Sequence, residues 1–141
     1  MPTESRSSQS LLVLGFLGII VLVPIRQTAL EVRNGQRVLY CSGQLSVAPN
    51  GKPLHPGDMR AQINEAIDNL DRLLKAAGFG LSDIARLNVY TTDMDACLAN
   101  FDAVISRLAP AGIRPACTLL GVTRLAWPET MVEIEATAVS E

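Results

Sequence analysis

Val132-Glu133-Ile134-Glu135-Ala136-Thr137-Ala138-Val139 alternates apolar and polar residues almost without a break. Successive side chains of a strand point to opposite faces. Val132, Ile134, Ala136 and Ala138 therefore share one face, and Glu133, Glu135 and Thr137 the other. The aliphatic face calls for helices over it. The two carboxylates project from the opposite face, which is solvent in a lone chain or a polar surface between chains. The alternation by itself leaves both open.

Upstream segments supply the helices. Asp58 is placed to cap a helix running to about Ala77, with Met59, Ile63, Ile67, Leu70, Leu74 and Ala77 on one stripe and Gly78 just beyond. Asp93 caps a second helix over residues 94–108, striped by Cys97, Leu98, Phe101, Val104, Ile105 and Leu108. Between them Ile84 to Tyr90 alternates as a strand. Earlier, Ala29–Val32 and Arg37–Cys41 flank Asn34-Gly35, a strong hairpin signal. Ser42-Gly43-Gln44 then interrupts the second strand, and a glycine there marks a bulge or a close backbone approach. A Pro/Gly-rich loop covers residues 49–57. A strand over Cys117–Leu125 and the Trp127-Pro128-Glu129 turn lead into the last strand. The order β-β-α-β-α-β-β predicts an α+β fold, a single mixed sheet with two helices on one face.

With 141 residues, 48% apolar and 18% charged, the chain suits one folded domain rather than a disordered segment. A net charge of −2 and scattered basic residues give no footprint for nucleic acid. Cys41, Cys97 and Cys117 lack metal-ligand spacing and only one histidine is present, so neither a disulfide framework nor a metal site is expected. Free thiols suit a reducing cytoplasm. Leu11 to Ile25 is almost wholly apolar but shorter than the roughly 20 residues that span a bilayer, and no small-residue cleavage pattern follows it. The expectation is a strand or short helix packed on the domain or on a neighbouring subunit. Residues 1–24 are accordingly read as an apolar N-terminal extension and 25–141 as the domain.

Several segments in order resemble one family: Ser42-Gly43-Gln44, Asn69-Leu70, Gly78, Val89-Tyr90-Thr91-Thr92-Asp93, Arg114-Pro115-Ala116-Cys117-Thr118 and Val132-Glu133-Ile134-Glu135-Ala136. Together they resemble the Rid (reactive intermediate deaminase, or YjgF-like) family from about Ile25 to Val139. That resemblance implies a chorismate-mutase-like fold and a homotrimer whose open sheet faces form an inner barrel, with clefts between subunits. It also implies hydrolysis of small enamines and imines derived from amino acids to 2-keto acids and ammonia, with neither metal nor organic cofactor. Glu133 would orient or activate the water, and Ser42 and Gly43 would contact the ligand.

Two departures from the family pattern matter. Where well-studied members carry Pro-Ala-Arg, this chain has Pro115-Ala116-Cys117, so the arginine that grips the substrate carboxylate is replaced by Cys117. The family's early Tyr-Ser-Gln is Ile25-Arg26-Gln27 here. Arg114 and Arg26 are candidate substitutes for the lost guanidinium, and Cys117 is either a cleft wall or a reactive thiol. The two functional expectations are an imine deaminase with an atypical substrate, and a trimer of the same fold that binds a small metabolite without turnover. A ribonuclease role, described for some relatives, lacks the basic patch it would need. Glu135, His55 and Trp127 are read as structural.

Overall fold

In the computed structural model, which describes residues 10–14, 18–23 and 27–141, seven strands form one sheet. They are β1 (Ser10–Leu14), β2 (Gly18–Val23), β3 (Gln27–Asn34), β4 (Gln36–Leu45), β5 (Ile84–Thr91), β6 (Ala116–Gly121) and β7 (Val132–Ser140). Their order across the sheet is β1-β2-β3-β4-β7-β5-β6, antiparallel throughout except for the parallel pair β5–β6. Helices α1 (Met59–Ala76), α2 (Met94–Ala99) and α3 (Asp102–Leu108) complete it.

Gly35, with φ +80°, closes the β3–β4 hairpin where the Asn-Gly pair predicts a turn. Asp58 caps α1 by accepting a bond from the Ala61 amide at 3.0 Å. The alternation of β7 is seen in its burial: Val132, Ile134, Ala136 and Ala138 lie within 4% of full burial. Ile63, Ile67, Leu70, Leu73 and Leu74 of α1 meet them from above and are at most 1% exposed. Each such side chain contributes roughly 1.5–3 kcal/mol when fully buried.

The apolar segment before residue 25 gives strands, one of the two forms expected of it: β1 and β2 extend the sheet beyond β3. Ile25 and Arg26 lie outside the described residues. No described helix is long and apolar enough to cross a membrane. Two other features differ from the sequence reading. The second helix is broken into α2 and α3, because the Asn100 amide turns back onto the Ala96 carbonyl at 2.9 Å and the backbone tightens to i→i−3 bonds at Asn100 and Phe101. β6 stops at Gly121, short of the expected Leu125.

Two buried polar groups fix the frame. Gln62, fully buried in α1, donates to the carbonyls of His55 (3.0 Å) and Glu129 (2.9 Å) and accepts from the Met131 amide (2.8 Å). This sets the start of β7 and hence the placement of Glu133. At the far end of the sheet Glu31, 2% exposed, is held by Arg37 at 2.6 Å and Arg33 at 2.8 Å. Burial raises the Glu31 carboxyl, but the two guanidiniums outweigh it and hold it below its usual range.

Candidate active site around Glu133

The register of β4 against β7 slips between Cys41 and Gln44, so Ser42 and Gly43 form a bulge opposite the start of β7. The Glu133 side chain lies over that bulge. A Cβ built on Gly43 would sit 1.9 Å from Glu133 Oε1, 2.7 Å from its Cδ and 2.9 Å from its Cγ. Only a glycine leaves room for the carboxylate there. Buried Gln44 braces the bulge by donating to the Ser42 carbonyl at 2.9 Å.

The two glutamates one pleat apart differ in their surroundings. Glu135 Oε1 accepts from Asn88 Nδ2 at 3.0 Å and from the Tyr90 hydroxyl at 2.5 Å. That donated bond pushes the Tyr90 hydroxyl above its ordinary value, with burial and the neighbouring carboxylates adding to it. Glu133 is half-buried, and among the described residues its carboxylate has neither hydrogen bond nor ion pair. Burial raises its carboxyl above the usual range, and the charge of Glu135 raises it further. A raised carboxylate without a hydrogen-bond partner is a stronger base toward water than an ordinary one.

Cys117 and Arg114 lie elsewhere. In the β5–β6 register Cys117 pairs with Leu87, and Leu87 pairs with Ala136 of β7, so all three face the helices. Glu133 pairs with Tyr90 and faces the open side. Two strand spacings and three residues separate Cys117 from Glu133, about 14 Å between Cα atoms. Within one chain the two do not meet. Cys117, the loop residue Arg114 and Pro115 border a pocket of about 430 Å³ closed by Leu87, Phe101, Val104, Ile105, Leu108 and Ile113. Desolvation raises the Cys117 thiol, an effect that nearby Arg86 only partly offsets. The group at this position is thus a neutral thiol, not the thiolate a nucleophile needs.

Arg86 carries no signal in the sequence reading, yet it reaches across β6 to Thr118 Oγ1 at 3.5 Å, beside Cys117. Its place on β5 becomes visible only with the parallel register. His55, with φ +56°, lies in its loop 4.0 Å from the Glu65 carboxylate, and Trp127 holds the turn through its carbonyl, which accepts from Thr130. Among the described residues no cluster of histidine, cysteine and carboxylate could hold a metal ion.

The open sheet face carries Leu30, Tyr40 and Leu120, which are 42%, 50% and 51% exposed and flank the polar stripe of Glu133, Glu135, Asn88 and Tyr90.

Residues 27–140 match the family model described as endoribonuclease L-PSP. A RutC family protein of Pyrococcus horikoshii is 30% identical over 103 residues, covering 73% of this chain and 79% of that protein. The 2-iminobutanoate/2-iminopropanoate deaminase of Mus musculus is 34% identical over 59 residues, an alignment that covers 42% of this chain and 44% of that enzyme. Among solved structures, the crystal structure of the YjgF gene product from E. coli aligns with a TM-score of 0.68 at 28% identity, covering 79% of this chain and 86% of that one. With the matched model spanning the domain from β3 to β7, the chain belongs to the YjgF/RidA family.

Proposed function

We propose that this protein hydrolyses small imines derived from amino acids, releasing a keto acid and ammonia, with Glu133 as the general base. The observation that carries the proposal is the Glu133 carboxylate: half-buried, unpartnered among the described residues, raised by burial and by Glu135, and fitted over Gly43. Glu133 takes a proton from water while the hydroxide oxygen adds to the imine carbon. The C=N electron pair moves to nitrogen, which takes up the proton held on Glu133. In the resulting carbinolamine Glu133 takes the hydroxyl proton as C=O forms and returns it to the nitrogen, which leaves as ammonia. Water and imine thus become keto acid and ammonia, and Glu133 ends as it began.

The matched 2-iminobutanoate/2-iminopropanoate deaminases support this chemistry by kinship. The opposed placement of Cys117 and Glu133 supports a cleft between copies, in which the Glu133–Gly43 side of one faces the Cys117–Arg114 side of the next. A homotrimer meets that requirement and would cover Leu30, Tyr40 and Leu120. Ser42 and Gly43 would offer backbone contacts to the ligand, and Arg114 or Arg26 the cation. Free thiols at Cys41, Cys97 and Cys117 suit a cytoplasmic protein.

One observation favours binding without turnover: the thiol of Cys117, at the position where the family resemblance expects an arginine, is raised by desolvation. Keto-acid release from freshly generated imines decides between the two. Acceleration over buffer that Glu133→Gln abolishes supports hydrolysis. Tight keto-acid binding with no acceleration on any imine replaces it with the binding protein.

A further inference from the structure

The pocket beside Cys117 has a composition that a very small ligand does not use. Its floor is Leu87, 1% exposed, and its rim includes Ile105, which is 61% exposed. Phe101, Val104, Leu108 and Ile113 make up the wall, and Cys117 adds a thiol. Arg114 is the one charged residue that borders it, and Arg114 makes no ion pair among the described residues. A volume of about 430 Å³ is that of a small-molecule site. A methyl group would leave most of it to water. An isobutyl or benzyl group would cover more of the apolar lining and leave Arg114, the one cation that borders it, for one anion.

We infer that this pocket receives the side chain of a bulky apolar 2-imino acid, of leucine to phenylalanine size, with Arg114 at its mouth holding the carboxylate. The inference rests on the hydrolytic reading above for its chemistry, and on the pocket alone for its binding. Cys117 belongs to it as wall: an arginine at that position would place a guanidinium against the apolar lining, whereas a thiol packs as a small apolar group. The replacement therefore exchanges a second charge for apolar surface.

Titration calorimetry on the full chain tests the binding, with the stable keto acids 4-methyl-2-oxopentanoate and pyruvate as probes. The branched acid carries three more carbons, and their transfer into the pocket favours it by roughly 10- to 50-fold. Ile105→Asp, at an exposed position that does not endanger folding, brings that ratio toward one. Arg114→Gln weakens both acids by about 10-fold. Equal affinity for the two acids, or a ratio that Ile105→Asp leaves intact, overturns the inference. Turnover is measured separately on imines generated from leucine and alanine by an amino-acid oxidase. Selective binding with no turnover of either imine overturns the hydrolytic reading and leaves the pocket standing. Equal turnover of both imines with equal binding overturns the pocket and leaves hydrolysis standing.

Discussion

The β4–β7 corner around Glu133 and the β6 edge around Cys117 are built on opposite rules. At the corner, a bulge and a glycine bring backbone within touching distance of a carboxylate that no described side chain satisfies. At the edge, an apolar pocket surrounds a neutral thiol and has one cation at its mouth. The first region has what the proposed activation of water would use, a carboxylate raised by burial and fitted over a glycine. The second offers an apolar lining with Arg114 as the one charged residue that borders it. Glu133 and Cys117 lie on opposite faces of one sheet, so the proposed base and the proposed side-chain pocket can be changed separately.

The largest expected effect separates the two regions at once. Glu133→Gln should lower kcat for imine hydrolysis by about 10²–10⁴, the usual contribution of a positioned base, while keto-acid binding at the edge stays within about threefold. Its effect on stability has the opposite sign. A carboxyl raised in the folded state contributes stability below its unfolded pKa and loses it as pH rises through the folded value, so ionised Glu133 costs stability at pH 7. Thermal unfolding should show Glu133→Gln more stable than the parent at pH 7 by about 0.5–1 kcal/mol, a gain held small by solvent screening of a half-buried group. Lost turnover together with lost stability would make Glu133 a structural residue.

Gly43→Ala tests how closely the corner is fitted. The new methyl would overlap Glu133 Oε1, so the carboxylate must swing off the bulge. Because the obstacle is the end of a flexible side chain, the fold should lose less than about 1 kcal/mol while turnover drops by about 10- to 100-fold. Unfolding midpoints and kcat measured on the same preparation check both. The matching experiment at the edge is Cys117→Arg, which places a guanidinium where the family resemblance expects one. It should raise kcat/KM for the imine of alanine by about 10-fold, the scale of one charge-assisted pair. The preference for the imine of leucine should fall with it.

How much of the fold and of the site can be read in the amino-acid sequence follows from where the signals lie. The alternation of Val132 to Val139 marks the buried and open faces of β7 residue by residue, because burial of one face fixes the strand's phase. Gly43 stands out as an interruption within a strand, but its reason, the Glu133 carboxylate above it, is a contact between residues 90 positions apart and leaves no local pattern. The break between α2 and α3 comes from the Asn100 side chain competing for a carbonyl, which a continuous apolar stripe conceals. The separation of Cys117 from Glu133 depends on the strand order, and the parallel β5–β6 pairing is not encoded in either strand alone.

The smallest effect is the most specific to the corner. Glu135 keeps its bonds from Asn88 and Tyr90 if it becomes glutamine, since the amide oxygen accepts as the carboxylate did. Only its charge is lost, and that charge is one of the two causes holding the Glu133 carboxyl high. In Glu135→Gln the Glu133 carboxyl should therefore ionise at lower pH. A base works in its deprotonated form, so the acidic limb of kcat/KM against pH should move to lower pH, with the plateau changed less than about threefold. Burial, the larger cause, is untouched, so the limb should remain above that of an ordinary glutamate. An acidic limb that stays in place would mean that the proton governing the rate is not on Glu133. A plateau that collapses would mean that the Tyr90–Glu135–Asn88 arrangement carries more of the reaction than the charge alone.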